Sequence, residues 1–233
     1  LNNGPWIGVN EEEIFSPASL LKVPIMMAVF KKAETDPAFL NKKIKYTGNL
    51  PPSTIANIAP GNPLKAGSNY TVLQLTEHMI KYSDNDAKEL LLHELGDEHV
   101  LKVMRDIGIN TNVDITADYV SVKIYSGFFR MLYNGTYLNR DFSEKALQLL
   151  SQTTFKEGIV AGVPKEVPVA HKFGERSFQD SDVKQLHDCG IVYLKNKPYL
   201  LCVMTRGTDF YTLKNAIAGV SALVYNHINA AGE

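Results

Sequence analysis

The sequence predicts an α/β (α+β) fold in which an antiparallel sheet is made from both chain ends and flanked by helices. An all-helical domain is inserted between those ends. Three observations predict it. Apolar residues recur at helical spacing through the middle of the chain. From Val167 the pattern changes to alternating or short apolar runs bounded by turn residues. A short strand candidate opens the chain, and a last helical stripe closes it. On this reading residues 1–18 and 164–233 form the sheet domain, and residues 19–163 the helical one.

The first strand candidate is Trp6 to Phe15, interrupted by Glu11-Glu12-Glu13. Ser16-Pro17-Ala18-Ser19 reads as a turn opening a helix, with Ser16 the better N-cap. Leu20 to Phe30 is apolar on nearly every side, the mark of a buried helix. Pro24 falls in its early turns, where a missing N–H costs least. Residues 34–71, rich in Pro, Gly, Asn and Lys, read as irregular connections. Leu73 to Lys81 and Ala87 to Leu95 read as helices, as do Val120 to Tyr133 and Ser143 to Ser151. Val167 to Phe173, Cys189 to Leu194 and Tyr199 to Thr205 read as strands. Leu213, Ile217, Val220, Val224 and Ile228 mark the last helix.

Bulk properties narrow the function classes. The chain has 233 residues, 45% hydrophobic and 21% charged, enough for a sizeable core. Its net charge of −1 and lack of a long basic run argue against nucleic acid or an anionic membrane as partner. No apolar run reaches the roughly 18 residues of a membrane-spanning helix. The opening Leu-Asn-Asn-Gly-Pro carries no export signal, so the protein is expected to be cytosolic or already processed. The six histidines show no metal spacing, and no cofactor is expected. Cys189 and Cys202 fall in a hairpin; if Leu194 pairs with Tyr199 they lie diagonal on one face. Two buried free thiols are the favoured reading, with a disulfide the alternative.

Three short stretches carry chemistry: Ser19-Leu20-Leu21-Lys22, Ser83-Asp84-Asn85 and Lys172-Phe173-Gly174. A serine hydroxyl needs an adjacent base to act as a nucleophile. Lys22 lies one helical turn beyond Ser19 and shares its face. A lysine accepts a proton only when neutral, a form that burial favours. Alone, each stretch has an ordinary reading. Ser19 would be a capping serine, Ser83-Asp84-Asn85 an Asx-type loop, and Lys172 a solvated edge charge.

Together and in order, the three resemble the S-x-x-K, S-D-N and K-T-G set of class A β-lactamases and penicillin-binding serine hydrolases. Ala170-His171-Lys172-Phe173-Gly174-Glu175 and His187-Asp188-Cys189-Gly190-Ile191-Val192-Tyr193 strengthen it, as does Phe155-Lys156-Glu157-Gly158-Ile159 leading to Gly162-Val163-Pro164. The resemblance covers residues 6–230. It implies a β-lactamase/transpeptidase-like fold and acyl transfer at an amide carbonyl. Ser19 would be the nucleophile, Lys22 its base and Ser83 the proton relay. Asn85 would bind a substrate amide, and Asp84 would hold the loop. Lys172 would meet the substrate carboxylate, with Phe173 and Gly174 lining the site. The N–H groups of Ser19 and Glu175 would form the oxyanion hole. The implied partner is a small β-lactam or a peptidoglycan stem peptide, met outside the cytoplasm by a monomer.

Three departures stand beside the resemblance. The omega-loop segment is short, Ile109 to Ser121, and its acids are Asp114 and Asp118, neither in the E-x-x-L-N pattern that supplies the deacylating glutamate. Glu166 lies too close to Lys172 to match it. Phe173 replaces a hydroxyl residue; its ring either shapes an apolar subsite or points away. Arg206 is a second cation or a surface arginine, the latter favoured. The family places a helix and a strand before Trp6. A D,D-peptidase with little β-lactam turnover is one alternative, and a non-catalytic binding protein on the same fold is another.

Overall fold

The computed structural model describes residues 5–48, 58, 61–111 and 118–230. In chain order its elements are β1 (Ile14–Phe15), α1 (Lys22–Thr35), β2 (Lys43–Lys45), β3 (Asn69–Thr71), α2 (Val72–Lys81), α3 (Asn85–Leu95) and α4 (Asp97–Asp106). Then come β4 (Val120–Ser121), α5 (Val122–Asn134), α6 (Arg140–Ser151), β5 (Val169–Phe178), β6 (Ser181–Val192), β7 (Tyr199–Gly207) and α7 (Phe210–Ala230). Short 3-10 turns span Ala18–Leu21, Pro37–Asn41 and Ile159–Gly162. The chain divides into two compact units. One contains Leu1–Leu20, Asn112–Arg130 and Phe155–Glu233; the other contains Leu21–Thr111 and Met131–Thr154.

The second unit is helical. Every residue of α1 from Lys22 to Phe30 is buried, as an all-round apolar helix requires. Each Ile, Met, Val or Phe fully removed from water there contributes roughly 1.5–3 kcal/mol. Pro24 is the third residue of α1, where its absent N–H would have had no intrahelical acceptor. Phe30 stacks on Phe142 of α6 at 5.3 Å between ring centroids. A reciprocal capping box starts α2: Thr71 Oγ accepts from Gln74 N–H at 3.1 Å, and Gln74 Oε1 accepts from Thr71 N–H at 2.8 Å. Part of the stretch expected to be irregular is ordered. Lys43–Lys45 pairs with Asn69–Thr71 as a small antiparallel ribbon, its middle residues Ile44 and Tyr70 opposed. Residues 49–57 and 59–60 of that stretch lie outside the described residues.

The first unit is organised by a three-stranded antiparallel sheet, order β5-β6-β7. All three strands come from the C-terminal part of the chain. The N-terminal segment pairs its backbone instead with β4, Ile14 opposite Ser121 and Phe15 opposite Val120. The expected strand from Trp6 is thus reduced to its last two residues. Asn10 sits at φ 50° and its carbonyl accepts from Glu13 N–H at 3.0 Å, a turn that ends any extended run. α7 packs Leu213 and Ile217 into the core, and Ser221 Oγ donates to Ile159 O at 2.8 Å. No helix among the described residues is long and apolar enough to cross a membrane.

The cysteine expectation is corrected. Val192, not Leu194, faces Tyr199, which sets Cys189 directly opposite Cys202. Their Cα atoms are 4.0 Å apart and the two are joined as a disulfide. The reason is turn chemistry. Asn196 takes up φ 61° and Lys197 N–H bonds Leu194 O at 3.0 Å, so the turn consumes residues assigned to the strand.

Candidate active site

Two of the three motif stretches meet inside the helical unit. Lys22 is 1% exposed, at the start of α1. Its Nζ donates to Ser83 O at 2.6 Å, to Ser83 Oγ at 3.1 Å and to Asn85 Oδ1 at 2.6 Å. A buried amine nitrogen needs such partners in place of water. The loop between α2 and α3 provides them because its backbone is forced into an unusual path. Ser83 has φ 55°, the left-handed region that side chains rarely adopt. Asp84, 2% exposed, N-caps α3 by accepting from Ala87 N–H at 2.9 Å, which holds the loop. Lys22, Ser83 and Asn85 are thus brought together, with Asp84 as the brace.

The remaining candidates lie in the sheet unit. Ser19 is half-buried on the Ala18–Leu21 turn, and Ala18 before it has φ 47°. Ser16 is tied to the sheet at every polar atom. Its N–H donates to Gln185 Oε1 at 3.0 Å, its carbonyl lies 3.0 Å from His187 Nε2, and its hydroxyl accepts from Arg176 Nη1 at 2.6 Å. That anchoring replaces the capping role expected of it: Leu21 is the N-cap of α1, with no side-chain cap. Gly174 lets β5 approach the same turn. A Cβ there would sit 2.9 Å from Pro17 O and 3.0 Å from Leu20 Cγ. Gly174 and Glu175 therefore run directly beside the turn that bears Ser19.

His187 shows what that anchoring requires. Its Nε2–H donates to Ser16 O, and its Nδ1 accepts from Thr205 N–H at 3.3 Å, so the neutral ring satisfies both contacts. Burial pushes its pKa down to about 4, against the opposing pull of the Ser16 carbonyl. The unfolded chain would bind that proton near pH 6.5. Stability from this group is therefore complete above about pH 6.5 and lost as pH falls toward 4, by about 3 kcal/mol. Thermal melts between pH 7 and pH 4 should show this loss, and His187→Gln should flatten the dependence. An equal slope in both proteins would sink the assignment.

The late motif is buried rather than solvated. Lys172 is 0% exposed; its Nζ donates to Phe173 O at 2.9 Å and lies 4.1 Å from the Phe173 ring centroid. Burial pushes its pKa down to about 7, with Asp188 and Glu175 pulling the other way. The model of the β-lactamase enzyme family matches residues 1–228. The chain belongs to this family.

A β-lactamase of Streptomyces albus G is 26% identical over 89% of this chain and 70% of its own. β-Lactamase VEB-1 of Pseudomonas aeruginosa is 25% identical over 84% and 71%. Among solved structures, a β-lactamase from Chitinophaga pinensis superposes with a TM-score of 0.83 at 19% identity, covering 97% of this chain and 90% of its own. A point mutant of PBP-A, solved as an acyl-enzyme complex with penicillin G, superposes at 0.77 with 21% identity, covering 96% and 85%. This family member accordingly has the β-lactamase/transpeptidase fold, and it is a serine hydrolase acting on amide bonds.

Within the β-lactamase family, the departures of this chain now have geometry. Phe173 is 3% exposed and stacks on Phe155 at 4.3 Å, its ring turned into the protein. Asp118 is engaged: Gln185 Nε2 donates to its oxygens at 3.0 and 3.1 Å, and Arg206 Nη2 at 2.7 Å. Arg206 also donates to Glu13 and to Ile14 O, so it serves this network. Asp114 lies outside the described residues. Glu166 is exposed in the turn before β5. Sequence reasoning gave no role to Gln185, His171 or Asp188. Their signal is present: polar and ionisable residues at Gln185, His187 and Asp188 run straight into the apolar Cys189–Val192 stretch, so some must be buried.

Proposed function

We propose that this chain is a penicillin-recognising serine hydrolase that acylates on Ser19 and releases the acyl group slowly, in the manner of a D,D-peptidase. The observation that carries the reading is the buried Lys22 amine nitrogen, held on Ser83 Oγ and Asn85 Oδ1 and able to take a proton in its neutral form. Ser19 Oγ forms a bond to the carbonyl carbon of a β-lactam or a D-Ala-D-Ala peptide, and its proton passes to Lys22. The C–N bond then breaks. The leaving nitrogen takes a proton from Ser83 Oγ, which is replenished from Lys22 at 3.1 Å. Backbone N–H groups of Ser19 and Glu175 hold the oxyanion, and Lys172 meets the substrate carboxylate. Asn85 holds the substrate amide, and Gly174 lets the turn that bears Ser19 lie against β5.

Slow release follows from the acids. Of the two in the Ile109 to Ser121 segment, Asp118 is already committed to Gln185 and Arg206, and so does not stand in for the glutamate that activates the deacylating water. On this reading the protein works outside the cytoplasm, as a monomer, on β-lactams and peptidoglycan stem peptides. Intact-protein mass spectrometry after exposure to benzylpenicillin tests the reading. The expected result is one stoichiometric adduct persisting for hours, mapped to Ser19. A transient adduct with accumulating hydrolysed drug would make the protein an efficient β-lactamase, and no adduct would remove β-lactams as ligands.

A further inference from the structure

Successive residues of a strand face opposite sides of its sheet, so Gly174 and Arg176 belong to the same face of β5 as Lys172. Their direct partners on β6 are His187 and Gln185. The three side chains of this patch converge on Ser16. Gln185 Oε1 accepts from its N–H, His187 Nε2 donates to its carbonyl, and Arg176 Nη1 donates to its hydroxyl. Gln185 and His187 tie the turn to β6. Arg176 ties it to β5, the strand that carries Glu175.

The Arg176–Ser16 bond, 2.6 Å long, links the residue after Glu175 to the residue three before Ser19. Its donor is itself held in place. Arg176 is half-buried, and its Cζ lies 4.6 Å from the Phe178 ring centroid. A planar guanidinium gives up little freedom when it makes such a bond. The far end of the turn is pinned as well. Tyr125, 1% exposed on α5, donates from its hydroxyl to Leu20 O at 2.9 Å, and Leu20 N–H bonds Pro17 O at 2.9 Å. Ser19 therefore sits between two pins, and Arg176 supplies the side-chain part of the first. Neither Arg176 nor Ser16 takes part in the acyl-transfer steps above.

We propose that Arg176 is a positioning residue for acyl transfer: by holding the Ser16 hydroxyl it fixes the Ser19 turn against β5 at Glu175. It thereby sets the spacing of the Ser19 and Glu175 N–H groups. That these two groups receive the oxyanion rests on the functional reading above. Such donors work because they stand about 2.7–3.1 Å from the developing charge before it forms. Slack of about 1 Å in a reacting arrangement is enough to lower a rate on the order of 10²-fold. The guanidinium is also a cation, so a direct role in holding the substrate carboxylate is the rival to be separated.

Arg176→Met removes the donor and keeps an apolar stem beside Phe178. The first readout needs no activity: amide hydrogen exchange in the full chain. Exchange at Ser19 and Leu20 should quicken about tenfold in the variant, as local opening of a loosened turn requires; unchanged exchange there overturns the proposal. The second readout is acylation by benzylpenicillin and by its methyl ester, which lacks the carboxylate. The saturating rate should fall about 10- to 100-fold for both donors, with half-saturating concentrations unchanged. A higher half-saturating concentration for benzylpenicillin alone would make Arg176 a carboxylate-binding group and overturn the proposal. So would an unchanged saturating rate, which would leave a merely structural role. Ser16→Ala deletes the other half of the bond and keeps both backbone anchors. It should slow acylation to a similar extent, and the double variant should add little; losses that multiply overturn the proposal. If the wild-type protein forms no adduct, the functional reading fails while amide exchange still decides whether Arg176 holds the turn. Should Arg176→Met not fold, Ser16→Ala carries the exchange and rate expectations by itself.

Discussion

Ser19→Ala is expected to abolish covalent capture of penicillin while leaving the fold intact. The hydroxyl oxygen is the only atom of the chain that forms a bond to the acyl carbon in the proposed reaction, so nothing else replaces it. Losses of a nucleophile of this kind are on the order of 10⁴-fold or more in rate. The surrounding anchor does not depend on that hydroxyl. Ser16, three residues earlier, is fixed through Gln185, His187 and Arg176. The variant's melting temperature should therefore stay within a few degrees of wild type. Mass spectrometry over hours checks the first part and a thermal melt the second. An adduct persisting on the alanine variant would place the nucleophile elsewhere. Equal penicillin binding by both proteins, with no adduct on either, would leave only the binding-protein reading.

Lys22→Met should cost both activity and stability, unlike Ser19→Ala. Methionine matches the length of the lysine stem but donates nothing. Ser83 O, Ser83 Oγ and Asn85 Oδ1 would each lose a charge-assisted bond in a site that Lys22 fills to 1% exposure. Hydrogen bonds to a charged group are worth about 1.5–3 kcal/mol each, and they are not additive within one cluster. Acylation should fall by about 10³-fold or more, because both base and relay are lost. Lys22→Arg separates the two roles. A guanidinium remains a cation but does not give up its proton at any ordinary pH. It should recover part of the stability and none of the acylation. Acylation by the arginine variant near the wild-type rate would sink the role of Lys22 as base.

What the sequence revealed and what it hid follow from how local each signal is. The helices on either side of Ser83-Asp84-Asn85 were legible because apolar spacing and caps are written within a few residues. The β2–β3 ribbon was not. Lys43-Ile44-Lys45 and Asn69-Tyr70-Thr71 are polar, short and far apart, so no periodicity announces them. The strand ladder was legible in kind but not in register. A turn centred on Asn196 moved the pairing by two residues and turned a diagonal cysteine pair into an opposed one. Lys172 and Phe173 were found as a motif, yet Phe173 is covered by Phe155, eighteen residues upstream and invisible to any local pattern. Asp188 was hidden for the same reason: its partners His171 and Ile159 come together only through the fold.

Two of the four left-handed non-glycine residues among those described have a consequence for anyone improving this scaffold. Ala18 and Ser83 each hold a backbone shape that glycine adopts freely and that costs other residues on the order of 1–3 kcal/mol. One sets the position of the next residue, Ser19; the other is itself the relay serine. A library selected only for heat tolerance would therefore be drawn toward glycine at these two positions. The survivors would be sturdier proteins with a wandering nucleophile or no relay hydroxyl. Selection schemes on this scaffold should fix residues 18 and 83 first and seek robustness elsewhere.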